Sequence, residues 1–147
     1  MKIRVLLVDD EEQFLGQLAE RLRLRDYEVS TCLNGGEALE KVRKFNFDVC
    51  ILDVAMPGLD GIETLREIKR LKPLIEVIML TGHATVESAI EGMKLGAFDY
   101  LLKPTQTDDL VIKVEMANKR KAEQEERIRQ ARVKEIVLSP RSVLSKE

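Results

Sequence analysis

IRVLLVDD, running from Ile3 to Asp10, decides the fold. A largely apolar run that stops at two aspartates is the pattern of a strand buried on both faces whose carboxyl end reaches solvent, which is what a central strand of a parallel sheet requires. The pattern returns in DVCILD (Asp48 to Asp53) and IEVIMLT (Ile75 to Thr81), and more weakly in EVSTCL (Glu28 to Leu33) and DYLLKP (Asp99 to Pro104). Helical spacing fills the intervals. EEQFLGQLAERLRLR repeats Phe14, Leu15, Leu18 and Leu22 behind an acidic first turn that suits the helix dipole. GGEALEKVRKF, entered through Asn34 and Gly35, then IETLREIKRLK, then TVESAIEGMKLG, stopped at Gly96, supply three more helices. A fifth begins near Thr107, which can cap it ahead of Asp108 and Asp109.

Five strands alternating with helices predict an α/β fold, a parallel sheet with helices on both faces, because right-handed crossovers place them there. Ligands of such sheets bind beyond the carboxyl ends of the strands. The polar residues gather at those ends: Asp9 and Asp10 after the first strand, Asp53 after the third, Thr81 after the fourth and Lys103 after the fifth.

The bulk properties narrow the function. At 147 residues there is room for one compact domain and no second globular one. No segment approaches the roughly 18–20 apolar residues that span a bilayer, and the N-terminus turns acidic where a secretory signal would stay apolar, so a cytoplasmic protein with no membrane partner is expected. Cys32 and Cys50 lie in apolar runs and are expected to be buried, reduced thiols. A net charge of −2 argues against direct nucleic-acid binding by phosphate neutralisation. The charge is uneven: residues 1–117 carry a net −6 and residues 118–147 a net +4, so body and tail are electrostatically distinct.

Carboxylates drawn into one crevice repel unless a cation sits among them or some stay protonated. Oxygen ligands without histidine or cysteine suit magnesium, which commonly bridges a carboxylate to a phosphate. A lysine opposite supplies a compact charge for phosphoryl oxygens, and a threonine hydroxyl adds a neutral donor. In that setting the carboxylate of Asp53 can attack phosphorus and form an acyl phosphate.

VDDEE (8–12), ILDVAMPGLDGIE (51–63), MLTGHAT (79–85) and GAFDYLLKP (96–104), four motifs in order at strand ends, resemble the receiver domain of two-component response regulators over about the first 120 residues. TGHATVESAIEGMKLGAFDYLLKPT looks most like receivers of sigma-54-dependent activators or their stand-alone relatives. The resemblance implies a flavodoxin-like, doubly wound five-stranded sheet in the order 2-1-3-4-5. It implies that Asp53 is the phosphoacceptor, that Asp10 ligates Mg2+ directly and Asp9 through water, and that the Ala55 backbone carbonyl is a further ligand. It implies that Lys103 pairs with the phosphoryl group, that the bond to Pro104 is cis, and that Thr81 and Tyr100 form a switch pair acting on the face built by helix 4, strand 5 and helix 5. Gly58 and Gly61 would permit the tight loop after the acceptor. His83, two residues beyond Thr81, would at most modulate how long the phosphoryl group survives.

The function so implied is a phosphoprotein of two-component signal transduction. It takes phosphoryl from a sensor histidine kinase or phosphotransfer protein and controls a downstream protein, without being a turnover enzyme. Other readings stand beside it. Asp9 and Asp10 could be helix-capping acids, Asp53 a turn acid and Lys103 a solvated lysine. A phosphatase with an aspartate nucleophile would want a second acid where Ala55 stands. A receiver that binds without phosphorylation would not need all five polar residues. Residues 1–120 are read as the receiver and 121–147 as a charged helical extension with a loose end after Ser139 and Pro140, its helix stitched by Lys121 with Glu125, Glu123 with Arg127 and Glu125 with Arg129. Whether the chain is a stand-alone protein or a piece of a longer regulator is open. Homodimerisation through the fifth helix is expected from apolar surface at Leu110, Val111 and Val114.

Overall fold

The computed structural model describes residues 1–55, 60–82 and 85–138. Five strands, β1 (Arg4–Val8), β2 (Glu28–Cys32), β3 (Val49–Leu52), β4 (Glu76–Thr81) and β5 (Asp99–Leu102), alternate with five helices. These are α1 (Glu12–Leu24), α2 (Gly35–Lys44), α3 (Gly61–Leu71), α4 (Val86–Lys94) and α5 (Thr107–Leu138). All neighbouring strands are parallel, in the order β2-β1-β3-β4-β5, which is the doubly wound arrangement expected.

Alternation along each strand divides the core in two, since successive side chains point to opposite faces. Leu6, Val8, Cys50, Leu52, Val77 and Met79 face the side covered by Ala38 and Val42 of α2 and Leu65 and Ile68 of α3. Val5, Leu7, Val49, Ile51, Ile78 and Leu80 face the other, covered by Leu15, Leu18 and Leu22 of α1 and Leu110, Val114 and Ala117 of α5. Each fully buried Leu, Ile or Val contributes roughly 1.5–3 kcal/mol by leaving water, so the two layers hold the strand ends in register. Val8 lies opposite both Cys32 and Leu52, Leu52 opposite Met79, and Thr81 opposite Leu102. Both cysteines are buried and free.

Helix entries follow the local chemistry. Asn34, Asp60 and Thr85 cap α2, α3 and α4 through side-chain oxygens that accept the N–H groups of Glu37, Glu63 and Ser88. Gly96 adopts a left-handed φ of +102° just after α4. Thr107 is not a cap: it is the first residue of α5, and the Gln106 carbonyl accepts the Leu110 N–H.

Two sequence expectations about α5 need correction. Leu110 and Val114 are fully buried in the protein's own core, because the 110/114/117/121 stripe repeats at helical spacing and faces the sheet; Val111 packs against the same cluster. Leu110 and Val114 offer no surface for a second copy and Val111 is only partly exposed, and the exposed apolar residues of that part of the helix are Ile112 and Met116. The solvated extension also begins later than the charges suggest. Lys121 is buried and donates to Asp48, and Arg120 pairs with buried Glu76 while lying over the Phe98 ring. Further along, Lys121 pairs with Glu125 and Glu123 with Arg127, but Arg129 bonds Glu126 instead of Glu125. Ser139 and Pro140 lie outside the described residues.

Candidate functional site

The end of β1 and the start of α1 deliver Asp9 and Asp10, and the end of β3 delivers Asp53 beside them. One oxygen from each of the three carboxylates lies within 4.8 Å of the other two. Asp9 and Asp53 are buried, at 4% and 3% exposure, whereas Asp10 is exposed, so the cluster meets solvent at Asp10. Backbone donors hold the two buried acids. Asp9 Oδ1 accepts the Glu11 N–H at 2.9 Å, and Asp53 Oδ1 accepts the Ala55 N–H at 3.0 Å. Each leaves its Oδ2 directed to other partners.

Those partners converge on one ammonium. Lys103, beyond β5, places Nζ 2.7 Å from Asp9 Oδ2, 3.1 Å from Glu11 Oε1 and 3.8 Å from Asp53 Oδ2. The same nitrogen sits 4.1 Å from the centroid of the Phe14 ring. Burial alone would lower the Lys103 pKa, but hydrogen bonds to Asp9 and Glu11 and the charges of Asp9 and Asp53 outweigh it and hold the group above its ordinary value. Asp9 moves upward too, because burial of its carboxylate outweighs the hydrogen bonds from Lys103 and the Glu11 N–H. One ammonium therefore does not fully offset the cost of the enclosed negative charge.

Thr81 closes β4 at full burial, and its carbonyl accepts the Lys103 N–H at 2.9 Å, which ties the two strand ends together. The Lys103–Pro104 peptide is cis. Tyr100, on β5, is half-buried with its ring against the α2/α3 side of the core and its hydroxyl 3.0 Å from Ser88 Oγ of α4. On the far side of Asp53, Gly61 approaches so closely that a Cβ there would meet Val54 Cα at 2.2 Å and the Asp53 carbonyl oxygen at 2.4 Å. Glycine is required because α3 starts against the backbone of Asp53 and Val54. Gly58 and His83 lie outside the described residues.

The structure thus brings Asp9, Asp10, Asp53 and Lys103 into one crevice, with Thr81 beside it and Tyr100 further along β5. Among the described residues the donor set is oxygen-only, with no histidine or cysteine, and it fits a hard divalent cation. Three contacts were not foreseen. Glu11 could have been suspected from its place next to the acidic pair, Phe14 was read only as a core residue, and Ser88 gave no signal beyond helix capping.

The family profile described as the response regulator receiver domain matches residues 5–115. This chain belongs to that family. Among curated relatives, the receiver is 44% identical over 115 residues to the transcriptional regulatory protein ZraR of Escherichia coli K12, a match covering 78% of this chain and 26% of that protein. The chain thus spans about a quarter of the length of that relative. Among solved structures, the CheY-like receiver domain protein of Methanospirillum hungatei JF-1 superimposes with a TM-score of 0.82 at 29% identity, over 84% of this chain and 99% of that one. A response regulator of Burkholderia pseudomallei, described with a phosphorylated aspartic acid, a calcium ion and citrate, gives a TM-score of 0.75 at 27% identity, over 87% and 75%. The protein is therefore a receiver domain of two-component systems, and no described helix is long and apolar enough to cross a membrane.

Proposed function

We propose that this receiver accepts a phosphoryl group on Asp53 from a histidine kinase or phosphotransfer protein and signals through the surface of α4, β5 and α5 to a downstream protein. The observation that carries the reading is the placement of the Asp53 carboxylate, 3% exposed, in one crevice with two further carboxylates and with Lys103 Nζ 3.8 Å away. The similarly folded Burkholderia regulator, which carries a phosphorylated aspartate and a divalent cation, supports it.

Asp9, Asp10 and Asp53, with the Ala55 backbone carbonyl, would hold Mg2+, which when bound neutralises charge on the carboxylates and the incoming phosphoryl oxygens. Asp53 Oδ2 is the nucleophile, since Oδ1 is engaged by the Ala55 N–H. A bond forms between that oxygen and phosphorus as the bond from phosphorus to the donor imidazole breaks. The electron pair goes to the imidazole nitrogen, and the product is an acyl phosphate. Lys103 offers its ammonium to the phosphoryl oxygens. Thr81 offers its hydroxyl, and only a contact that differs between the two states can shift their populations. Tyr100, held through Ser88 to α4, is placed to report that movement on the surface. We read the chain as a switch that is modified once, with no direct contact to nucleic acid, in residues 1–120 of a protein working in the cytoplasm.

The test is labelling by acetyl phosphate with Mg2+, followed by intact mass. One added phosphoryl group is expected on the wild type, and none on Asp53→Asn or after chelation of the metal. Continued labelling of Asp53→Asn would overturn the assignment.

A further inference from the structure

Among the described residues, four side chains stand close to the Lys103 ammonium, and they fall into two kinds. Asp9 and Asp53 are carboxylates of the candidate cation site, so their oxygens serve the cation as well as the ammonium. Glu11 and Phe14 are outside that cluster. They stand three residues apart at the start of α1, which puts them on one face of the helix, with Glu11 Oε1 3.1 Å and the Phe14 centroid 4.1 Å from Nζ. Phe14 also packs its ring against the core shared by α1 and α5, so its position is fixed by more than the lysine. A lysine side chain is a flexible four-carbon stem with many rotamers, and an ammonium tethered only by acids that a cation competes for would lose its aim when the cation arrives.

We propose that Glu11 and Phe14 are positioning residues that keep the Lys103 ammonium beside Asp53 when a divalent cation engages Asp9 and Asp10. This rests on the reading of Asp53 as phosphoacceptor. Glu11 supplies an acceptor outside the metal cluster, and the ring supplies a face that attracts a cation without taking a hydrogen bond away from the phosphoryl oxygens.

Two readouts test it. The first needs no phosphorylation: protons on the Lys103 ε-carbon, lying over the Phe14 ring, resonate upfield of those of the other lysines. That displacement should persist when Mg2+ is saturating, vanish in Phe14→Leu, remain in Phe14→Tyr and shrink in Glu11→Gln. The second is the rate of phosphorylation against acetyl phosphate concentration. For Phe14→Leu the half-saturating concentration should rise about two- to five-fold with the maximal rate unchanged, and Phe14→Tyr should restore it. Glu12→Gln removes the same charge one residue further on, at a side chain with no contact to Lys103 among the described residues. Glu11→Gln should therefore have a half-saturating concentration at least twice that of Glu12→Gln. Because Glu11 is exposed, its substitution keeps the test open if Phe14→Leu folds poorly.

The inference is overturned if the Lys103 signal coincides with the other lysines, or joins them when Mg2+ is added. It is overturned equally if the half-saturating concentration is unchanged, or if the maximal rate falls in step with it, since that would mark general damage. Labelling of Asp53→Asn would instead overturn the reading beneath it, and the lysine signal in the metal-free protein would still stand on its own.

Discussion

Shortening the chain from its carboxyl end separates two boundaries that the structure distinguishes. The family match ends at residue 115, yet α5 continues and uses Arg120 and Lys121 to engage Glu76 and Asp48, buried acids at the amino-terminal ends of β4 and β3. A variant ending at Lys119 removes both cations. Asp48 would keep its hydrogen bonds from Arg4 at 2.8–3.2 Å, and Glu76 would keep Lys69 at 3.6 Å, so neither acid is stranded completely. Loss of Lys121, whose side chain is 9% exposed, from a desolvated acceptor costs about 1–3 kcal/mol. Arg120 is 46% exposed, so screening limits its pair with Glu76 to about 0.5–1 kcal/mol. The total is about 1.5–4 kcal/mol, which lowers Tm by about 3–16 °C in a chain of this size. A variant ending at Glu126 keeps every one of these contacts and, among the described residues, loses only exposed helix, so its stability should stay within about 0.5 kcal/mol of the full chain. Urea and thermal unfolding of the three proteins decide the matter. Equal stability of the full chain and the variant ending at Lys119, or equal losses in both shortened forms, would refute the idea that these two pairs mark the end of the folded unit.

Gly61→Ala places a methyl group 2.2 Å from Val54 Cα and 2.4 Å from the Asp53 carbonyl oxygen, and since both of these are backbone atoms, relief must come from shifting the Asp53–Val54 backbone. We expect a loss of about 2–4 kcal/mol on denaturant titration together with slower labelling of Asp53, and a variant of wild-type stability would contradict the close approach. Burial alone would raise the Asp48 pKa, but hydrogen bonds from the Arg4 side chain and N–H and from Lys121 prevail and hold it below the usual carboxylate value. Its contribution is therefore complete above the unfolded value of about pH 4 and disappears as pH falls through the lower folded value. The stability gap between wild type and Asp48→Asn should be constant from about pH 6 to 8 and narrow below about pH 4, whereas a gap that widens in acid would reverse the sign of the argument.

The sheet was legible because its strands are short apolar runs ending in polar residues, a pattern that follows directly from burial on both faces. Strand order came from the resemblance, and the pairing bears it out. The acidic crevice was legible for a related reason: Asp9, Asp10, Asp53 and Lys103 each stand next to a strand's carboxyl end, and parallel strands place those ends together. Contacts that depend on side-chain reach were less visible. Nothing in the spacing of Phe14 distinguishes a ring that packs on the core from one that also receives an ammonium. Arg120 and Lys121 sit in a run of charges that looks solvated throughout, and their acids stand where strands begin, Glu76 as the first residue of β4 and Asp48 just before β3, where a charge is ordinarily solvated. The misjudged surface at Leu110 and Val114 has a similar origin, since amphipathic spacing identifies a stripe without saying what covers it.

α4 is secured differently from its neighbours. It buries only Gly92, where a Cβ would strike the Met79 side chain at 2.1 Å, while Val86, Ile90 and Met93 remain in contact with water. A helix that lies flush on a sheet through a bare backbone has little apolar anchorage to lose on lifting away. The free energy needed to open this segment is consequently well below that of global unfolding, and its amide protons should be among the first of the helical ones to trade with deuterium. The element that shares Tyr100's hydrogen bond is thus, of the four shorter helices, the one with the fewest buried residues to give up.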